Sequence, residues 1–267
     1  MTESNEARGT RDLRGWISDR QLVSFFLLTY AISWSCWGLS MVGGGPVLFF
    51  AGGFGPLISA IIITRLSRKS VRAWLRTLLV WRVRARYYVF ALLFPVAVYT
   101  AINLVLLALG LKFDFPALPG ALTTYLGTLL LVATIGGGLE EPGWRGFALP
   151  RLQTRRTPVM ATLILGLAWG IWHVPLYGVA GFIVPLVLAF FYTWLYNRTG
   201  SVLLCILLHA SFTPAQDILT FTSDTPVVDL VILGVYVLGA LGFILATRGR
   251  LGLERRALVT GSASTPS

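Results

Sequence analysis

The stretch ALTTYLGTLLLVATIGGGL at residues 121–139 runs directly into EEPGWR at residues 140–145. The first part is apolar and close to the length of a helix that crosses a bilayer, which needs about 20 apolar residues. The second part adds two carboxylates and a guanidinium. Charged side chains are costly inside lipid, so they persist there where they are paired or used in chemistry. The junction therefore predicts an ionisable site within a membrane-spanning segment.

The overall composition supports a membrane protein. Of the 267 residues, 55% are hydrophobic and 12% are charged, and the mean hydropathy is +0.74. A soluble domain is about a quarter charged, so we predict an all-α fold, a polytopic bundle of transmembrane helices whose partner is the lipid bilayer. The net charge of +11 comes from basic residues in short loops between apolar runs. That pattern encodes orientation in a membrane, and we expect no nucleic-acid partner.

Eight apolar runs predict about eight transmembrane helices. All but Lys112 and Arg145 of the 22 lysines and arginines then fall on one side of the membrane. The positive-inside rule places that side, with both termini, in the cytoplasm, so we predict a multi-pass protein of the cell membrane. An odd number of spans would destroy this separation. The eight runs are Leu22–Val42, Pro46–Thr64, Tyr87–Leu109, Ala121–Pro150, Val159–Tyr177, Val179–Tyr196, Val202–Phe221 and Val227–Ala246.

The domain organisation follows from these runs. We predict a cytoplasmic N-terminal tail at residues 1–20, an integral membrane domain at 21–247 and a cytoplasmic C-terminal tail at 248–267. The last tail is predicted to be disordered because glycine and serine collect at its end. Within Ser67–Arg86, apolar residues at helical spacing alternate with arginines, which predicts a basic amphipathic helix in the membrane interface.

Estimated depth decides how far the fourth span extends. With a helix that continues to Pro150, Glu140 lies about 15 Å above the inner boundary at the α-helical rise. His173 lies at about 20 Å and His209 at about 12 Å by the same rise. These are the only two histidines in the chain, and both match the glutamate in depth. We therefore predict the longer fourth span and one site that these three residues share.

The longer span buries Arg145, which then requires a partner. Glu141 precedes it by four residues, the spacing of a helical ion pair. Glu140 is rotated by about 100° from Glu141, so one glutamate can face the arginine while the other faces the site. Spacing alone does not decide which does which. We also predict a kink at Pro142-Gly143.

Small residues surround the first histidine. Gly166, Gly170 and His173 share one helix face, and the glycines predict close approach of a neighbouring helix. Trp169 lies on the same general face, four residues before His173.

A polar strip follows the second histidine. Thr213 and Gln216 lie on roughly the same helix face as His209, and Asp217 extends the strip. Pro214 frees a backbone carbonyl, which suits a polar cavity within the membrane.

Three motifs in this region resemble those of the CAAX protease and bacteriocin-processing (CPBP, or Abi) intramembrane proteases. The resemblance covers residues 138–216, with the motifs in the family's order in successive membrane segments. Trp169 stands where the family usually has Phe, and Thr213 stands where prenyl-protein endopeptidases have Asn. The motifs are Glu140-Glu141-x-x-x-Arg145, Trp169-x-x-x-His173 and His209-x-x-x-Thr213.

The resemblance implies an intramembrane endopeptidase that acts on membrane-associated protein or peptide substrates without a cofactor. It implies that Glu140 activates water, that His173 holds this water and that His209 donates to the oxyanion, with Thr213 as a weaker helper. It further implies that Glu141 and Arg145 hold the helix and tune Glu140.

Two alternatives remain at this stage. The first is zinc-dependent hydrolysis with Glu140, His173 and His209 as ligands, a set of the His₂Glu type. It is less favoured because the His-Glu-x-x-His spacing is missing. The second is a proton-coupled transporter or a non-catalytic membrane scaffold, since carboxylate–histidine relays occur in transporters. The missing inverted repeat argues against a transporter.

Overall fold

Helices make up all the regular secondary structure in the computed structural model, which describes residues 20–111, 118–220 and 225–254. The predicted all-α class is confirmed for these residues. We label the helices in chain order as α1 (Gln21–Leu39), α2 (Pro46–Gly53), α3 (Gly55–Leu66), α4 (Val71–Leu78), α5 (Ala85–Ala108), α6 (Leu118–Thr134), α7 (successive turns Gly137–Glu140, Glu141–Gly143, Trp144–Ala148 and Leu149–Gln153), α8 (Pro158–Tyr177), α9 (Ala180–Thr199), α10 (Val202–Ile218) and α11 (Pro226–Ala246).

Several helices are long and apolar enough to cross a membrane, as expected of an integral membrane protein. Within the described residues, five helical stretches meet both conditions, or six if the bent pair of α2 and α3 forms one span. The bend between those two helices is 50°. Helix α10 has only 17 residues, and α9 is not counted among these stretches. Length and composition thus support five or six of the eight predicted spans.

The fourth predicted span continues past the glutamates, and its helical winding changes along the way. The stretch Pro119–Gln153 forms one candidate span, interrupted between α6 and α7 at Ile135 and Gly136. The kink at Pro142-Gly143 stays a prediction; Pro142 lies within a helical segment and Gly143 has helical backbone angles. Pro142 lies in the first turn of an α-helical segment, where a missing N–H breaks no hydrogen bond. The helix then widens into a π-helical segment at Trp144–Ala148.

Tight turns connect the helices that carry the histidines. The Thr157 hydroxyl accepts a hydrogen bond from the backbone N–H of Met160 at the start of α8. Ser201 caps α10 in the same way through Leu204. Helices α8 and α9 end at Gly178 and Gly200, whose φ angles are +64° and +65°. Glycine adopts this left-handed region without steric cost. The chain can therefore reverse its direction at both residues, and α8, α9 and α10 pack as successive neighbours.

Glycines bring α8 and α9 into close contact, as their spacing predicted. A methyl group on Gly166 would lie 2.9 Å from the Leu186 carbonyl oxygen. A methyl group on Gly170 would overlap with the Phe182 carbonyl oxygen. Side chains at these positions would force the two backbones apart.

The segment that was predicted as an amphipathic helix contains α4, which is shorter than the predicted segment. The Ser70 hydroxyl caps this helix by accepting from the N–H of Ala73. The Trp74 indole donates to the Gly146 carbonyl oxygen of α7, and Leu78 is buried. Arg76 lies on the exposed face. One face of α4 therefore packs beneath the segment that carries the glutamates.

The chain after α11 is in contact with α9. Leu251 is fully buried, and its carbonyl oxygen accepts a hydrogen bond from the Asn197 amide. The predicted disorder of the 248–267 tail is therefore wrong for residues 248–254. The rest of that tail, and residues 1–19 of the predicted N-terminal tail, lie outside the described residues.

Candidate active site

Glu141 joins two of the predicted motifs. Its Oε1 atom accepts a hydrogen bond of 3.0 Å from Arg145 Nη1, the ion pair that the four-residue spacing predicted. The same oxygen lies 2.9 Å from His209 Nδ1 on α10. Because a carboxylate oxygen only accepts, the Nδ1 atom of His209 carries a proton. This fixes the orientation of the ring and directs Nε2 away from Glu141.

Arg145 lies fully buried between two aromatic rings. Its guanidinium carbon is 4.2 Å from the centre of the Trp169 ring and 4.4 Å from that of Tyr192. Among the described residues, its Nε and Nη2 atoms have no hydrogen-bond partner. The ring faces supply a favourable environment for the cation, and Glu141 supplies the negative charge.

Glu140 points away from the ion pair, in a direction that the one-residue rotation on the helix allows. Its Oε2 atom accepts a hydrogen bond of 2.8 Å from the Trp169 indole on α8. The side chain is 5% exposed. A methyl group on Gly137 would lie 3.1 Å from Glu140 Oε1 and 2.5 Å from His209 Nε2. The Glu140 carboxylate and the His209 imidazole thus both lie against the backbone at Gly137.

His173 is oriented by its own helix. Its Nδ1 atom lies 2.9 Å from the Trp169 carbonyl oxygen, which can only accept, so Nδ1 carries the proton. Nε2 is then the unprotonated nitrogen of the neutral ring. The ring stacks on Tyr177, one turn further along α8, at 5.8 Å between centres.

Thr213 makes a local hydrogen bond. Its hydroxyl donates to the carbonyl oxygen of His209, 3.3 Å away on the same helix. Gln216 and Asp217 line the same cavity as His209 and Thr213, so the predicted polar strip is confirmed.

Two cavities meet at the histidines. The first chamber, of about 220 Å³, is lined by Glu140, His173 and His209, with apolar walls that include Phe50 and Leu131. The second chamber, of about 420 Å³, lies on the α9 side of the histidines and contains the polar strip. Both chambers share His173, Tyr177, His209 and Thr213. The three predicted catalytic side chains therefore all face the first chamber.

Three contributors to the site were not foreseen from the sequence. Gly137 is defined by its close approach to Glu140 and His209, and Tyr192 by its contact with Arg145. Tyr177 lies four residues after His173 on the same helix face, a spacing that does signal proximity. Gly137 and Tyr192 are placed by packing between helices, which spacing does not show.

The less favoured zinc alternative has Glu140, His173 and His209 as its ligands. Among the described residues, no group of three or more His, Cys, Asp or Glu side chains is placed to hold one ion. The Nδ1 atoms of His173 and His209 are engaged with Trp169 and Glu141. Metal-binding histidines commonly make such hydrogen bonds through one ring nitrogen, and Nε2 is the remaining nitrogen of each ring.

Comparison with known proteins agrees with the motifs. The family model described as Type II CAAX prenyl endopeptidase Rce1-like matches residues 121–213, the segment with both glutamates and both histidines. A CAAX prenyl protease 2 of Methanococcus maripaludis is 34% identical over 136 residues, covering 44% of this chain and 47% of the relative. The alignment thus spans about half of that relative. The segment that builds the site is therefore similar to the Rce1-like CAAX prenyl endopeptidases.

Proposed function

We propose that this protein is an intramembrane endopeptidase that hydrolyses peptide bonds of membrane-associated proteins or peptides. The observation that carries the proposal is the first chamber. There, a buried carboxylate, Glu140, lies beside two imidazoles that come from separate helices, His173 and His209. A base and two hydrogen-bonding groups around one space are what attack by water on a peptide bond needs.

In the proposed reaction, Glu140 is the general base. It takes a proton from a water molecule as the water oxygen attacks the carbonyl carbon of the scissile bond. The proton is then delivered to the leaving amine. The hydrogen bond from Trp169 to Oε2 leaves Oε1 of Glu140 as the atom that contacts the water.

The two histidines have different proposed roles. The unprotonated Nε2 atom of His173 accepts a hydrogen bond from the attacking water. His209 donates through Nε2 to the oxyanion as it develops. Such donation requires the imidazolium form, in which both ring nitrogens carry protons, and the Glu141 carboxylate beside Nδ1 is compatible with that form. Thr213 lines the space beside His209 as a weaker donor.

Glu141 and Arg145 act as positioning residues in this proposal. Their ion pair is fully buried, and Glu141 also orients His209. Loss of one partner of a buried ion pair leaves an uncompensated charge, with a typical cost of about 3–5 kcal/mol. Substitution of Glu141 should therefore lower stability as well as activity.

The proposed setting is the cell membrane. We propose eight spans within an integral domain at residues 21–247, with both termini in the cytoplasm and α4 in the cytoplasmic interface. The support is the distribution of basic residues, which cluster at one end of the apolar runs. Helices α8, α9 and α10 line the second chamber.

The proposed substrates are peptides that are held at the membrane. The apolar walls of the first chamber suit a lipid-attached or transmembrane substrate. Among the described residues, no lysine or arginine lines either chamber. A substrate carboxylate would therefore find no lysine or arginine partner there, and apolar contacts would provide most of the affinity.

The central test compares membranes that contain the wild-type protein with membranes that contain Glu140→Gln. Glutamine preserves an oxygen that can accept from Trp169 but cannot take a proton. We expect uncut substrates to accumulate in the variant membranes, as measured by quantitative proteomics of peptide termini. Purified Glu140→Gln should unfold at the wild-type temperature, whereas Glu141→Gln should unfold earlier. Full cleavage of a confirmed substrate by Glu140→Gln would refute the general-base role.

A further inference from the structure

A third cavity, separate from both chambers, lies where α5 begins and α9 ends. Its volume is about 310 Å³, and it shares no lining residue with the two chambers. We call it the arginine pocket, because its lining contains the four guanidinium groups of Arg82, Arg84, Arg86 and Arg198.

The charge of this pocket is unbalanced. Among the described residues, Glu254 is the one carboxylate in the lining. Its oxygen lies 3.8 Å from Arg198 Nη1, and its side chain is 80% exposed. An exposed ion pair at this distance contributes little, and the remaining guanidinium groups repel one another. A bound anion would replace this repulsion with attraction.

Contacts around Tyr87 hold two of the arginines in place. The buried Tyr87 hydroxyl accepts hydrogen bonds from Arg86 Nη2 at 3.1 Å and from Arg198 Nε at 3.4 Å. Its own proton is then free to be donated. A phenol that bridges two guanidinium groups provides a preformed donor set for an anion.

Close packing behind Arg198 restricts its side chain further. Gly252 has a φ angle of +80°, and a methyl group there would lie 2.7 Å from Arg198 Cδ. The turn that contains Gly252 is fixed by the hydrogen bond from Asn197 to the Leu251 carbonyl. The aliphatic stem of Arg198 therefore lies against the backbone of this turn. Such packing reduces the entropy that is lost when an anion binds.

The surroundings of the pocket identify the source of the anion. Leu79 and Trp81, which precede the pocket in the chain, are 68% and 59% exposed. Exposed tryptophan beside arginine at the end of a long apolar helix is typical of the headgroup region of a bilayer. Basic pockets between helices at this level suit lipid headgroups, and guanidinium groups bind phosphate oxygens in pairs.

We propose that the arginine pocket binds the phosphate group of an anionic phospholipid headgroup. The proposal does not depend on the proteolytic function, because no residue of the pocket belongs to the active site. Inorganic phosphate offers the same chemistry from solution, so the test must separate the two sources.

The test uses the purified full-length protein in detergent and measures its thermal unfolding with three probes. These are short-chain phosphatidic acid, short-chain phosphatidylcholine and inorganic phosphate. We expect a saturable rise in the unfolding temperature with phosphatidic acid only. Native mass spectrometry should show a retained phosphatidic acid molecule. An equal rise with inorganic phosphate would overturn the assignment to a lipid. An equal rise with phosphatidylcholine would overturn selectivity for an anionic headgroup.

Two matched double variants locate the effect. Arg82→Gln/Arg84→Gln removes two exposed arginines of the pocket, and Arg72→Gln/Arg76→Gln removes two exposed arginines of α4. We expect the first to weaken phosphatidic acid binding about 10-fold or more and the second to leave it nearly unchanged. Equal weakening in both would show a general surface-charge effect and overturn the pocket. Should the pocket variant unfold, lipid retention in native mass spectra of Arg84→Gln alone decides between these outcomes.

Discussion

The hydrogen bond between Trp169 and Glu140 is the most direct link between α8 and the proposed base. The indole N–H donates to Oε2 at 2.8 Å, while the ring of the same tryptophan lies against Arg145. One side chain thus orients the carboxylate and covers the buried cation. These two contributions can be separated by substitution.

We predict that Trp169→Phe lowers kcat/KM about 10-fold or more, because a hydrogen bond to a charged group is worth about 1.5–3 kcal/mol. The aromatic face for Arg145 is preserved, so the unfolding temperature should change little. Trp172→Phe is the matched comparison, since among the described residues the Trp172 indole N–H has no hydrogen-bond partner. It should cause a smaller loss. Equal losses in both variants would contradict a role for the Trp169 N–H.

Gly137 provides a second prediction at the level of single residues. Alanine there would place a methyl group 2.5 Å from His209 Nε2 and 3.1 Å from Glu140 Oε1. Displacement of catalytic groups by about 1 Å can cost about 100-fold in rate, and we expect a loss of that order for Gly137→Ala. The measurement is kcat/KM on a confirmed substrate. The control is Gly127→Ala in α6, where no atom lies within 4 Å, and activity of Gly137→Ala at the control level would disprove the steric role.

At the scale of elements, α7 is unusual because it changes its winding within a few turns. It begins as a 3₁₀-helix at Gly137–Glu140 and widens to a π-helix at Trp144–Ala148. Such π-helical turns occur frequently at functional sites. Gly143 lets α7 touch α3, since a methyl group there would lie 2.5 Å from the Pro56 carbonyl oxygen. The glutamates are therefore carried by a helix that is fixed on several sides.

The contact between α8 and α9 makes a prediction about stability. Gly170→Ala would bring a methyl group into overlap with the Phe182 carbonyl oxygen, a backbone atom that cannot easily move. We expect a destabilisation of about 1–3 kcal/mol, typical of overpacking, and a lower unfolding temperature in detergent. Gly234→Ala in α11, with nothing within 4 Å, should leave the temperature unchanged or slightly higher. A wild-type unfolding temperature for Gly170→Ala would show that the helices are not so closely packed.

At the scale of the whole molecule, the site exists only because α7, α8 and α10 converge. Glu140 and Trp169 are 29 residues apart, and Glu141 and His209 are 68 apart. Helix α9 contributes Tyr192, whose ring lies against Arg145 and lines the second chamber. Every proposed catalytic group is thus positioned by a contact to a different helix or by its own helix backbone.

The proposed topology is tested by reporter fusions. With an even number of spans, a C-terminal fluorescent protein that folds only in the cytoplasm should be bright, and a C-terminal alkaline phosphatase should be inactive. A phosphatase inserted near Lys112, in a predicted outer loop, should be active. These outcomes follow from the charge separation of the loops. An active phosphatase at the C-terminus would contradict the eight-span arrangement.

The sequence by itself determined the features that depend on local spacing and composition. Apolar runs of sufficient length predicted the long helices, and the four-residue separation predicted the Glu141–Arg145 pair. The glycine spacing in α8 predicted its close contact with a neighbour. The matching estimated depths predicted that Glu140, His173 and His209 share one site, because helical rise converts position along the chain into distance across a membrane.

Only the tertiary structure decided which groups touch across helices. It placed His209 in hydrogen-bond contact with Glu141 and Trp169 in hydrogen-bond contact with Glu140. It also packed Gly137 against both Glu140 and His209. It also gathered the arginine pocket from separate parts of the chain. The physical reason is that the rotation of one packed helix against another depends on all the side chains between them. Local periodicity records one helix face and contains no information about the partner.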